Sequence, residues 1–291
     1  MTHYAVDAEW KPLRAVLLCP PHPWIEHAHD PRKVLYLKKI RYLVMRTEFE
    51  SIVAMYKKLK IKVFVMDPAQ AENSDNRHLF NLMFTRDAFF MTPRGAIMAS
   101  MFSQVRRGEV RYVQQAIAAA GIRIRKTLRS PATFEGADAL WVHPGLVLVG
   151  VGKRTNEEGF CQVAKELKRD HVECVPVPAP CRGLHLLGAL QFVAKGRAFV
   201  KKGSLGSGTL KLLKDRGIKT TLIPADAGIR NKHAMNFVVL KPEVILMTAG
   251  CERTKKTYER LGIKVAAEVP TTQYVNAGGG LACMTGVLAR G

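Results

Sequence analysis

The apolar positions along the chain follow a recurring rhythm. A strand or hairpin of continuous hydrophobics precedes a segment with helical spacing, and a short β-branched strand closes each unit. The first unit runs from "LRAVLLCP" through a long helix over residues 36–59 to "KVFVM". The second contains "LMFTRDAFFMT" and "GAIMASM", a helix near "QVRRGEVRYVQQAIAAA", and "IRIRK". The third has "DALWVHPGLVLVGV", a helix after "TNEEG" and the strand "VECVPV". The fourth has "LHLLGALQFVAKGRAFV", a short helix near "TLKLLKD" and "KTTLIP", and the fifth "MNFVVLKPEVILMTA", a helix near "RTKKTYERL" and "IKVAAEV".

Pro-Gly in "VHPGLV", Lys-Gly in "VAKGRA" and Lys-Pro in "VLKPEV" supply hairpin turns. The stretch "GLACMTGVL" reads as one more strand, returning to the first unit and closing a ring. The pattern therefore predicts an α/β fold: a propeller of five pseudo-symmetric ββαβ units with helices outside and a central channel. No low-complexity linker interrupts residues 1–291, so one domain is expected.

Composition narrows the class. Hydrophobic residues make up 47% of the 291 and charged ones 24%, which suits a globular protein. No apolar run approaches the ~18 residues that cross a bilayer, and the first residues lack a basic-then-apolar leader, so a cytoplasmic protein with no membrane partner is expected. Six cysteines (Cys19, Cys161, Cys174, Cys181, Cys251 and Cys283) include no CxxC pair, which argues against a zinc knuckle or a disulfide framework. The net charge of +21 allows contact with polyanions through a basic surface, although no RNA-binding aromatic signature accompanies it.

Ionisable residues recur at corresponding places in these units, at strand ends or in turns. Asp87 lies in "FTRDAFF", Glu135 and Asp138 in "FEGADAL", His185 in "GLHLLGA" and Cys283 in "GGGLACMT". Singly they read as a turn carboxylate, a cap, a core histidine and a core thiol. Together, in apolar surroundings where charge is costly, they form a chemical set. Cys and His supply a nucleophile and a general acid/base, and paired carboxylates seat a planar cation such as a guanidinium.

These motifs, in this order, resemble the guanidine-modifying (pentein) superfamily of amidinotransferases, arginine deiminases and dimethylarginine dimethylaminohydrolases. The resemblance extends from "PLRAVLLCPP" to "GGGLACMT" and implies a five-bladed α/β propeller around an active-site channel. It implies Cys283 as nucleophile, His185 as acid/base, and Asp87 and Glu135 as holders of the guanidinium. It also implies Arg106 and Arg154, with Arg107 as a neighbour, as ligands of the substrate's carboxylate. The implied reaction is hydrolysis of a guanidino group on arginine or a methylated arginine through a covalent Cys thiouronium, without metal or organic cofactor. Amidino transfer and arginine deimination are alternatives on the same site, and a non-catalytic, ribosome- or RNA-binding relative is an alternative of another class. Where deiminases and many amidinotransferases carry His-x-Asp, this chain has His185-Leu186-Leu187, so Leu187 and Gly188 reshape the pocket.

Two further stretches invite function. His22, His27, His29 and Asp30 in "CPPHPWIEHAHDP" could suggest a metal, but the resemblance favours a Pro-rich lid. "GSLGSGT" (Gly203 to Thr209) lacks the G-K-[ST] ending of a phosphate loop and reads as a turn into a helix.

Overall fold

The computed structural model describes residues 4–67, 79–180 and 185–291; Cys181 lies outside them. Five three-stranded sheets are arranged by one rule: a central strand with an antiparallel neighbour on one side and a parallel neighbour on the other. The second unit pairs β3 (Phe89–Thr92) with β4 (Gly95–Met98), and α2 (Glu109–Ala119) carries the chain to the parallel β5 (Ile124–Thr127). The third repeats this with β6 (Ala139–His143), β7 (Leu146–Val151), α3 (Glu157–Lys168) and β8 (Glu173–Pro178). The fourth comprises β9 (Leu190–Ala194), β10 (Arg197–Lys201), α4 (Ser207–Asp215) and β11 (Lys219–Ile223). After α5 (Ala227–Lys232) the fifth adds β12 (Val238–Lys241), β13 (Val244–Thr248), α6 (Glu252–Arg260) and β14 (Lys264–Val269).

The first unit closes the ring. β1 (Leu13–Leu18) runs through α1 (Tyr42–Lys58) to the parallel β2 (Lys62–Val65), and its antiparallel neighbour is β15 (Gly286–Arg290). Between β14 and β15 stand two short helices, α7 (Thr272–Asn276) and α8 (Leu281–Met284). The return strand is thus present but begins later than the pattern predicts: "LACM" is one helical turn, so Cys283 sits on α8 rather than on a strand.

Local chemistry explains these elements. Central strands such as β4 are buried along their length, which requires the continuous apolar runs seen in the sequence. Two residues join each of four hairpins, and Gly196 (φ 69°) supplies the left-handed position in one of them. In α1 the inward face is Met45, Phe49, Ile52 and Tyr56, at helical spacing. This helix starts at Tyr42 rather than at residue 36, because the Leu37 and Lys38 amides donate to the Asn276 carbonyl instead of joining a helical turn. "GSLGSGT" forms a turn with Gly203 at φ 77° that leads into α4, as expected. No helix among the described residues is long and apolar enough to cross a membrane.

Candidate functional site

A short turn leads into the first strand of each unit, and the polar candidates sit on these turns. Asp87 ends the turn Thr85–Asp87 before β3, and Glu135 caps Gly136–Asp138 before β6. His185 caps Leu186–Gly188 before β9, and Cys283 lies on α8 before β15. Pseudo-symmetry therefore turns residues far apart in sequence toward one end of the channel. Glycine is needed at one of these turns: a Cβ on Gly136 would stand 2.0 Å from the Phe89 carbonyl oxygen. Thr85 ties the second turn to the first sheet, its hydroxyl lying 3.0 Å from the Leu17 and Met284 carbonyls and accepting from Gly286 N–H.

His185 is held between carboxylates. Its Nε2 lies 2.6 Å from Glu135 Oε2 and its Nδ1 3.6 Å from Asp87 Oδ1. Burial opposes the charged ring, but the charges of Asp87, Asp138 and Glu135 outweigh it and hold the imidazole above its ordinary pKa. Burial likewise opposes the Glu135 charge, and the His185 hydrogen bond and the nearby Arg106 and Arg154 overcome it, keeping this carboxyl below the usual range. Asp138 is held by two donors. Its Oδ2 accepts from Thr155 Oγ1 at 2.8 Å and its Oδ1 from Leu186 N–H at 3.0 Å, which orients the histidine turn. Burial pushes the Asp138 carboxyl up to about 6, against the pull of His185 and these donors.

Asp87 Oδ2 accepts from Arg106 Nη1 at 2.6 Å, whereas the buried Oδ1 has no hydrogen-bond partner. A carboxylate oxygen without a hydrogen-bond partner is what an incoming planar cation needs. One ligand atom each from Asp87, Glu135 and His185 lies within 4.8 Å of the others, a cation seat open to a metal ion or a guanidinium.

Burial pushes the Cys283 thiol up to about 11, with the Asp87 charge adding to the shift. Asn236, the Gly280 backbone and Arg154 act the other way. Asn236 went unread in the sequence. It occupies the corresponding lead-in of the fifth unit, just before β12, so the repeat that revealed its four counterparts also marks it. Its Oδ1 accepts from the Ala282 and Cys283 amides at 2.8 and 3.1 Å, and its Nδ2 donates to Cys283 Sγ at 3.2 Å. Cys283, His185, Asn236, Leu187, Gly188 and Arg154 all line one cavity of about 120 Å³.

The arginines divide. Arg154 Nη1 donates to Glu135 Oε2 at 3.1 Å and the side chain faces the cavity. Arg106 does not. It is 3% exposed, donates through Nε to Glu109 Oε2 at 2.9 Å as well as to Asp87, and is absent from the cavity wall. Arg106, expected as a ligand of a substrate carboxylate, is thus engaged by two buried acids, Asp87 and Glu109. Arg107 is exposed and lies outside the cavity wall.

His22, His27, His29 and Asp30 line a different cavity. His22 stacks on Trp24 with ring centroids 3.6 Å apart and accepts from its amide, and Asp30 caps the next turn by accepting from Arg32 N–H. None of these four lines the Cys283 cavity.

The chain matches the family described as "ADI: Arginine deiminase" over residues 39–186, half of its length. It is 27% identical over 192 residues to an uncharacterized protein of Aeropyrum pernix, covering 66% of each chain. It is 36% identical over 130 residues to an arginine deiminase of Mycolicibacterium gilvum, covering 42% of this chain and 30% of the deiminase. The chain thus spans about two thirds of the first relative and less than one third of the second. The dimethylarginine dimethylaminohydrolase of Pseudomonas aeruginosa, solved with citrulline, superposes with a TM-score of 0.75 at 20% identity, covering 96% of this chain and 100% of that one. This likeness establishes the pentein propeller fold.

Proposed function

The chain belongs to the arginine deiminase family, and on that premise we propose that it is a guanidino-group hydrolase using Cys283 as its nucleophile. The observation that carries the reading is that Asp87, Glu135 and His185, from three separate units, form one cation seat, and that His185 shares a cavity wall with Cys283. Arginine and its methylated forms present the guanidinium this seat fits.

The steps follow from the side chains. The guanidinium docks on Asp87 Oδ1 and Glu135, and its positive charge beside Cys283 lowers the thiol from its elevated resting value, so that the thiol gives its proton to solvent. The thiolate bonds to the guanidino carbon, and the C–N bond to the departing group breaks as protonated His185 gives that nitrogen its proton. A Cys283 thiouronium remains. Neutral His185 then takes one proton from water, the oxygen bonds to the same carbon, and the C–S bond breaks as the oxygen's remaining proton passes to the departing Cys283 sulfur, releasing a ureido product. Amidino transfer differs only in the second half, where an acceptor amine replaces water.

Intact-mass measurement during turnover of arginine and of methylated arginines, with product analysis, tests this. A Cys283 adduct that is lost in Cys283→Ser, together with a ureido product and free ammonia or amine, is expected. Product only when an acceptor amine is added would assign amidino transfer. The absence of both adduct and product would overturn the reading.

A further inference from the structure

Leu187 stands on the walls of two cavities. One holds Cys283. The other, of about 20 Å³, is lined by Glu9, Arg86, Thr285 and Arg290 and by Ala282, the chain neighbour of Cys283. That volume admits one water-sized particle.

The wall of this second cavity carries a surplus of buried positive charge. Arg86, on the turn Thr85–Asp87, is 6% exposed, and Arg290, at the end of β15, is 8% exposed. Each guanidinium has five N–H donors to place. Arg86 donates through Nη2 to Glu9 Oε1 at 2.8 Å, and Arg290 donates through Nη1 to the Lys11 and Val239 carbonyls, each at 2.8 Å. Neither makes another hydrogen bond to a described residue, and the buried Nε of each is without a partner. Glu9 is the one carboxylate among the described residues of this wall, and its Oε1 also accepts from the Trp141 amide at 3.4 Å. Two guanidiniums therefore face a single carboxylate, and a buried charge without a counter-charge is costly. Arg290 registers that cost: burial, with the charge of Arg86 adding to it, pulls its guanidinium down to about 10 against the pull of Glu9.

We infer that this cavity is a binding site for a halide ion, chloride, held between Arg86 and Arg290. A spherical anion accepts N–H donors from several directions at once and supplies the missing negative charge. Phosphate and carboxylate ligands exceed the volume, and water satisfies donors without balancing their charge. The site joins the turn that carries Asp87 to the strand that follows Cys283, so its occupancy stabilises both. It stands independently of the hydrolase reading.

Urea unfolding of wild type in sodium chloride, bromide and gluconate at equal ionic strength tests this, because general salt screening is then common to all three. The unfolding constant is expected to be about 10-fold smaller in saturating chloride or bromide than in gluconate, by mass action on the folded state. In Arg290→Met that difference should vanish, whereas binding of halide to the basic surface would leave it in place. Anomalous diffraction from wild-type crystals grown in bromide should show a peak within reach of Arg86 and Arg290. Water alone at that position overturns the inference, and so does a halide dependence retained in folded Arg290→Met. Bromide in the cavity with no halide effect on wild-type unfolding marks an adventitious ion only and overturns it as well. If Arg290→Met does not fold, the bromide peak and the wild-type halide dependence, both required, decide the matter.

Discussion

His185 Nε2 stands 2.6 Å from Glu135 Oε2 while its Nδ1 faces Asp87 Oδ1 at 3.6 Å, so carboxylates meet the imidazole at both nitrogens. Such a ring stays protonated at pH values where an isolated histidine has lost its charge, as the donor to a leaving amine must. In Glu135→Gln the His185 pKa, followed by NMR titration, is expected to fall, and kcat/KM to drop by about 100-fold or more, in line with losing a positioned acid. Stability should change in a defined window. The raised His185 pKa contributes stability that is full below 6.5 and lost as pH rises through the folded value. The depressed Glu135 pKa contributes stability present above 4.5 and lost as pH falls through its folded value. Chemical denaturation should therefore show the largest gap between wild type and Glu135→Gln from about pH 4.5 to above pH 6.5, closing on either side.

Asn236 sets the resting state of Cys283, the proposed nucleophile. Its Nδ2–H stabilises charge on Cys283 Sγ, and its Oδ1 fixes the backbone on which the thiol stands. In wild type, the rate of alkylation by iodoacetamide should keep rising with pH toward about 11, well past the range of a free cysteine. Asn236→Ala removes a contact that lowers the pKa, so the profile should move further up. Alkylation at pH 8.5 is then expected to slow by about 3- to 10-fold, the equivalent of one hydrogen bond to a charged group. A profile unmoved by this substitution would leave Asn236 a purely structural role.

The glycines ahead of Cys283 have measurable work. A Cβ on Gly280 would lie 2.7 Å from Asn236 Oδ1 and 3.0 Å from Asn236 Cβ, against the side chain that orients the thiol. On Gly136 it would meet Phe89 and Arg86 carbonyl oxygens at 2.0 and 2.7 Å, which is fixed backbone. Gly136→Ala should cost global stability, about 2–4 kcal/mol by denaturant unfolding. Gly280→Ala should cost less stability and more kcat, because a movable side chain gives way and takes the nucleophile's alignment with it.

Much of this was legible because propeller units repeat. The apolar runs marked the central strands, β-branched segments marked the outer ones, and ionisable residues intruding at equivalent places made Asp87, Glu135, His185 and Cys283 candidates. What the pattern misses is determined by partners distant in sequence. Residues 36–41 have helical periodicity, yet the Asn276 carbonyl takes two of their amides. "GLACM" has strand-like content, yet Asn236 accepts two of its N–H groups and it turns as a helix. Asn236 itself was overlooked because a neutral amide carries no charge to stand out against an apolar strand. The pairing of Arg106 with Asp87, nineteen residues earlier in the chain and 2.6 Å away, is likewise set by the fold and has no local sequence signal.

Arg106 gives the sharpest separation between a substrate ligand and an internal counter-ion. Its guanidinium bridges Asp87 and Glu109, all three side chains being buried, and the adjacent acids hold it charged although burial opposes that charge. Glu109 is pushed up to about 7 by burial even with Arg106 present. Removing the cation in Arg106→Met leaves two buried carboxyls facing each other, a change of the kind that costs about 3–5 kcal/mol. The sign with pH follows from Glu109. A raised folded pKa favours the fold below the unfolded value of 4.5 and disfavours it as pH rises through the folded value, and losing Arg106 raises that value further. The stability gap between wild type and Arg106→Met should accordingly be small near pH 5 and widen steadily through pH 7 to 9, as read by urea unfolding. A variant with wild-type stability across that range and only a raised KM would return Arg106 to the substrate's carboxylate.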